Sequence, residues 1–111
     1  MRIKIEDRNG CSICVISGEV DINTAPQIKK FFDRIMQDKK KKVLINFKDV
    51  SYIDSSGLAT LVELLKNIRS YGGTLKLSNL SSKIKSLFEI TKLEKLFDIV
   101  EEEEEAIKSF A

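Results

Sequence analysis

The sequence predicts one α/β domain with a mixed, mostly parallel sheet, and three observations carry that prediction. Apolar segments of strand length alternate with longer ones whose apolar residues recur at helical spacing, the order expected of a sheet with crossover helices. The pair Asn9-Gly10 stands between the first two strand-like runs and marks a hairpin, which makes the sheet mixed. At 111 residues the chain is long enough for one hydrophobic core and too short for two. The expectation is a single domain over residues 1–111 with four to five strands and about four helices.

The elements follow in order. "RIKIED" alternates Ile3 and Ile5 with charged residues, as a strand with one wet face does. After the Arg8-Asn9-Gly10 turn, a second strand from about Cys11 to Ser17 is almost wholly apolar and belongs inside the sheet. Gly18 to Asp21 is then expected to leave the sheet. "NTAPQIKKFFDRIMQ" reads as an amphipathic helix: Asn23 or Thr24 can cap it and Pro26 suits its first turn. Ile28, Phe31, Phe32, Ile35 and Met36 form its apolar stripe. Lysines 39 to 42 complement the negative end of that helix.

Val43 to Phe47 is a short buried strand. The next helix carries Leu58, Leu61, Val62, Leu65 and Ile68 on one face and ends at Gly72-Gly73. Thr74 to Ser78 alternates as a strand. Ser81 or Ser82 can cap a short helix holding Ile84, Leu87 and Phe88. Phe97 to Val100 fits a last strand, and the glutamates from Glu101 to Glu105 open a final helix whose N-terminal dipole they oppose.

Composition narrows the chemistry. The formal net charge of +2 gives no field that argues for nucleic acid. The lysine cluster at 39–42 and the glutamate run at 101–105 read as solvated surface. No apolar run approaches the roughly 20 residues of a membrane span, and "MRIKIEDRNG" is unlike a signal peptide, so a cytoplasmic, membrane-free protein is expected. With no coiled-coil repeat, the free chain is expected to be a monomer. The sequence has no histidine, which removes the commonest general base, the commonest metal ligand and every Ser-His or Cys-His pair. No catalytic residue, metal site or cofactor is therefore assigned.

The two cysteines form a literal C-x-x-C, "CSIC". A redox pair wants its first cysteine at a helix N-terminus, whereas here the surroundings read as a strand. On a strand the two alpha carbons stand ~10 Å apart with side chains on opposite faces, beyond disulfide reach. Buried thiols are the expectation.

Chemistry concentrates where the strand Val43–Phe47 gives way to the next helix, in "YIDSSGLATL". Ligands of open α/β sheets meet the protein at such strand ends. Asp54, Ser55 and Ser56 can each accept from the free N–H groups of a first helical turn, and Gly57 removes bulk so that another molecule could approach the backbone. A nucleophile elbow needs a histidine base and a P-loop needs a longer glycine-rich loop ending in Lys-Ser or Lys-Thr, and neither is present. A serine that accepts a phosphoryl group is different, because a kinase brings its own base and nucleotide. On the residues alone, plain helix capping and modification both remain open.

Two blocks carry a family resemblance. "GEVDINTAPQIKKFF" and "VSYIDSSGLATLVELLKNIRSYGGTLKLSNLSSKIKSLFEITKLEKLFDIV" together resemble the STAS-domain family of bacterial anti-sigma factor antagonists, over about Cys11 to Val100. The resemblance implies that Ser55 is a phosphoacceptor. It implies an unmodified form that binds an anti-sigma factor, itself a serine kinase of the GHKL ATPase type, and so frees the sigma factor. Phosphorylation at Ser55 would release the antagonist, and a PPM-type serine phosphatase would restore it. By position, Asp54, Ser56 and Gly57 flank the acceptor as partner-binding residues, and Asp21 matches an acidic residue of the kinase interface. Asn23 and Thr24 fall on the same surface, Asn23 with no specific role. The alternative is a STAS module of a larger signalling scaffold, or a regulator of a target other than a sigma factor.

Overall fold

The computed structural model describes residues 1–110. Its elements are β1 (Arg2–Arg8), β2 (Cys11–Val20), α1 (Ala25–Gln37), β3 (Lys42–Ile53), α2 (Ser55–Ser70), β4 (Thr74–Ser78), α3 (Ser82–Ile90), a 3-10 turn (Leu93–Lys95), β5 (Asp98–Val100) and α4 (Glu103–Ser109). The five strands lie in sequence order, with β1 antiparallel to β2 and every other pair parallel. The mixed sheet expected from the sequence is therefore present, with its fifth strand.

Crossovers of one hand between strands laid down in one direction put their helices on one side. Ile28, Phe32 and Ile35 of α1, Leu58, Leu61, Leu64, Leu65 and Ile68 of α2, and Ile84 and Phe88 of α3 accordingly share one core with Cys14, Ile16, Ile45, Phe47 and Leu77 of the sheet. Phe88 stands edge-on to both Phe47 and Phe97, with centroids 6.4 and 5.6 Å apart, and anchors α3. On the other face α4 alone covers Cys11, Ile13 and Leu44 with Ala106 and Ile107. Cys11 and Cys14 thus point into separate cores as free buried thiols, as the strand reading requires.

Local chemistry explains the joints. Asn9 and Gly10 have φ of 52° and 78°, the two positive values of the tight hairpin turn. At the end of α2, Gly73 N–H reaches Ile68 O (2.9 Å) and Gly72 N–H reaches Arg69 O (3.1 Å), with Gly72 at φ 83°. That is the Schellman arrangement, and it turns the chain into β4. Ser81, not Ser82, caps α3, its hydroxyl accepting from Ile84 N–H at 3.3 Å.

Three expectations need correction. Gly18 to Val20 does not leave the sheet: the chain stays paired through Val20 opposite Ile53, and Gly18, at φ 107°, sits where the register shifts. A glycine in a strand can mark such a bulge as readily as an exit. The third strand does not stop at Phe47 but runs to Ile53, because it takes up two extra residues in bulges and so keeps pairing with β2. The glutamate run is not simply solvated. Glu103 accepts from Arg8 and from Asn46 Nδ2 (2.7 Å), Glu102 from Asn79 (3.0 Å) and Glu101 from Lys85 (2.9 Å), which ties α4 to the sheet and to α3.

Candidate functional site

The parallel strands β2 and β3 end side by side, and the turns leaving them form one surface. Asp54 takes extended backbone angles (φ −111°, ψ −174°) and is the N-cap of α2. Its Oδ1 accepts from Gly57 N–H at 3.0 Å, while its Oδ2 accepts from Ile22 N–H at 3.2 Å in the turn before α1. A main-chain bond, Asp54 N–H to Val20 O at 3.1 Å, adds a third tie. One carboxylate thus caps a helix and fixes the neighbouring turn.

That turn is itself closed by reciprocal bonds. Asp21 Oδ1 accepts from Asn23 and Thr24 N–H at 2.9 and 3.1 Å, and Asp21 N–H donates to Thr24 Oγ1 at 2.9 Å. The exchange follows the logic of a capping box. Thr24 occupies the N-cap position of α1, but its side chain makes no bond to the helix and donates instead to Glu19 O at 2.8 Å. Asn23 is exposed, and its backbone alone takes part. The structure therefore brings Asp21, Asn23, Thr24, Asp54, Ser55 and Ser56 to one end of the sheet.

With Asp54 capping, the two serines are free of that task. Ser55, the first residue of α2, is exposed and Ser56 half-buried, and neither hydroxyl makes a hydrogen bond among the described residues. Capping by a serine, left open by the sequence, is thereby resolved in favour of Asp54. The Ser55 hydroxyl faces water beside the positive end of a helix, a place that favours added negative charge.

Gly57 does not leave room for a visiting molecule. It is buried, and a Cβ there would lie 2.6 Å from Val20 O and 2.8 Å from both Ile53 Cγ1 and Val20 Cγ1. Its missing side chain lets α2 cross the strand ends closely, which sets the height of Ser55 above the sheet.

Beside Ser55 opens a groove of about 440 Å³, with Tyr52 and Leu58 on the strand and α2 side and Lys83, Ile84, Leu87 and Thr91 on the α3 side. Sequence reasoning assigned no site role to these residues, nor to Ile22, whose side chain is 67% exposed next to Asp21. An isoleucine between two polar turn residues, outside any apolar period, was the available signal for Ile22. The groove residues gave none, because Leu58, Ile84 and Leu87 fit the helical stripes of their own elements.

Among the described residues no group of three or more histidine, cysteine, aspartate or glutamate side chains is placed to hold a metal. Among these residues no helix is long and apolar enough to cross a membrane. The site is a surface of fixed turns, two unbonded serine hydroxyls of which that of Ser55 is the more exposed, and an apolar groove, suited to contact with another macromolecule.

Comparison with known proteins places the chain in a family. The family model described as the STAS domain matches residues 2–106. An anti-sigma-B factor antagonist of Bacillus subtilis (strain 168) is 39% identical over 84 residues, 76% of each chain. Its counterpart in Staphylococcus aureus (strain NCTC 8325) is 34% identical over 86 residues, 78% of this chain and 80% of that one. A crystal structure from Thermotoga maritima, whose description proposes an anti-sigma factor antagonist, superposes with a TM-score of 0.91 at 27% identity, covering 96% of this chain and 92% of that one.

Proposed function

The chain belongs to the STAS domain family, and from that premise we propose that it is an anti-sigma factor antagonist controlled by phosphorylation of Ser55. It is a binding module with no reaction of its own. The observation that carries the reading is the exposed Ser55 hydroxyl, free of hydrogen bonds at the start of α2 while Asp54 does the capping. The relatives named as anti-sigma-B factor antagonists support the antagonist role.

In the unmodified state the surface of Asp21, Ile22, Asn23, Thr24, Asp54, Ser55 and Ser56 docks on an anti-sigma factor, a serine kinase of the GHKL ATPase type. Docking frees the sigma factor. Gly57 contributes from beneath, by holding α2 against the strand ends. The kinase then transfers the γ-phosphoryl group of ATP to Ser55 Oγ. A new O–P bond forms, the bond from phosphorus to the β–γ bridging oxygen breaks, ADP leaves with that electron pair, and the hydroxyl proton passes to a base on the kinase. The product carries about 1.5–2 added negative charges at the centre of the contact surface. A PPM-type serine phosphatase returns the hydroxyl by hydrolysis.

Neither Asp54 nor the core has to move for this change, so the switch acts on the partner through surface charge. Incubation with the cognate anti-sigma kinase and ATP, followed by mass spectrometry, is expected to place one phosphoryl group on Ser55 and none on the Ser55→Ala chain. A kinase that binds the protein and leaves Ser55 unlabelled overturns the reading.

A further inference from the structure

A phosphoryl group on Ser55 is favoured by the start of α2, but the neighbouring side chains supply no counter-charge. Both oxygens of the adjacent Asp54 are engaged, one by Gly57 N–H and one by Ile22 N–H, so the first of these donors is already withdrawn from the helix start. The Asp54 carboxylate itself repels an added anion at short range. The titratable group that the turn before α1 contributes is another carboxylate, Asp21, held by Asn23 and Thr24 N–H. Tyr52, on the strand side, is the remaining titratable residue of that wall.

The α3 wall differs. Lys83 is the one cationic residue lining the groove among the described residues. It is exposed and forms no ion pair there, whereas Lys85, two residues on, is already committed to Glu101 at 2.9 Å. The groove therefore has an acceptor hydroxyl on one rim and an uncommitted ammonium group on the other.

We infer that Lys83 is the counter-charge of phosphorylated Ser55, and that the pair bridges the groove and closes its mouth. This rests on the reading of Ser55 as phosphoacceptor and gives phosphorylation a second effect. Besides adding charge, it covers the apolar floor of Leu58, Ile84 and Leu87 that the unmodified protein leaves open. Free Ser55 leaves Lys83 swinging in solvent, and the dianion draws it across.

The test needs no kinase. The chain is made with phosphoserine installed at position 55, and 31P NMR follows the second phosphate ionisation at low salt. That ionisation, at about 6 for an ordinary phosphoserine, is expected about 0.3–0.7 unit lower in the native chain than in K83Q or K83M. K83R should recover the shift, and high salt should erase it. Equal second pKa values in the native chain and in either variant whose unmodified form keeps the native melting curve overturn the pair. Failure of the parent reading looks different: a bound kinase that never labels Ser55 removes the biological role and leaves the NMR result unchanged.

Discussion

Asp54 Oδ2 lies 3.2 Å from the amide nitrogen of Ile22, so the cap of α2 also holds the turn that opens α1. The bond joins two segments that the sequence separates by a helix and a strand. Both halves of the candidate surface are thereby set by a single side chain.

Replacing Asp54 by alanine should therefore cost more than an ordinary cap. Loss of an N-cap alone destabilises by about 0.5–2 kcal/mol, and here the Ile22 amide loses its acceptor as well. Urea unfolding should place Asp54→Ala near the top of that range, with Asp54→Ser in between. An Asp54→Ala chain as stable as the native one would contradict the double role.

Gly57→Ala sets two effects of opposite sign against each other. Alanine favours a helix over glycine by roughly 1 kcal/mol. Its Cβ, however, would sit 2.6 Å from the Val20 carbonyl oxygen, part of a backbone that is itself bonded to Asp54 N–H. Overpacking of this kind costs about 1–3 kcal/mol, so a net loss of stability is expected. Partner binding should weaken with it, since α2 must lift away from the strand ends; a stabilised Gly57→Ala chain would refute this.

The two serines should separate by function and not by stability. Neither hydroxyl is bonded within the described residues, so Ser55→Ala and Ser56→Ala should each stay within about 0.5 kcal/mol of the native chain. Calorimetric binding to the anti-sigma kinase should then show Ser55→Ala binding tightly without release by ATP and Ser55→Asp binding weakly, whereas Ser56→Ala should still be released by ATP. Equal affinity for the Ala and Asp chains at position 55 would exclude a charge mechanism.

The five glutamates are not equivalent. Glu103→Ala strands the amide of Asn46, which is only 2% exposed and donates to Glu103 at 2.7 Å. An unsatisfied buried polar group costs about 1–3 kcal/mol. Glu105 is exposed and has no ion-pair partner among the described residues, so Glu105→Ala should be neutral. Chemical denaturation of the two variants side by side decides the matter, and equal effects would show α4 to be held by apolar contact alone.

Burial pushes the Cys14 thiol up to about 12, from an ordinary value of 9.0. Above pH 9 the unfolded chain loses this proton while the folded chain keeps it, so the group's contribution to stability falls as pH rises from about 9 towards 12. The slope reaches at most about 1.4 kcal/mol per pH unit. Tyr71, also raised by burial, acts in the same direction. Cys14→Ala should flatten the decline measured by urea unfolding at pH 8 to 10.5, and an unchanged slope would mean the thiolate is not excluded from the core.

The sequence revealed most where one residue type has one physical use. Asn9-Gly10, Gly72-Gly73 and the apolar stripes of α1 and α2 stand where their chemistry puts them, except that Phe31 of the α1 stripe is only half-buried and lies outside the core. The length of β3 was hidden because Val50 and Ile53, its inward residues beyond Phe47, are three apart and break the period of two. The break comes from two bulges in β3 itself, an extra residue between Asn46 and Asp49 and another between Val50 and Tyr52. Both are fixed only by pairing with β2. At the site the position was legible and the division of labour was not. Asp54, Ser55 and Ser56 offer three similar oxygens in a row, and the extended backbone at Asp54 decides which one turns inward. The task of Gly57 was hidden too, since it depends on contact with Val20, distant in the chain.

The unequal strand ends have a mechanical consequence. β4 pairs with β3 only as far as Asn46 opposite Ser78, whereas β2 accompanies β3 to Ile53. Ser55 therefore rides at the tip of a two-stranded cantilever projecting from a five-stranded body, and that beam is bulged twice along its length. A bulged ribbon flexes more readily than a full sheet. The inward side chains of that ribbon, Val20, Val50 and Ile53, still belong to the main core, so a displacement of its tip is felt in the packing of α1 and α2.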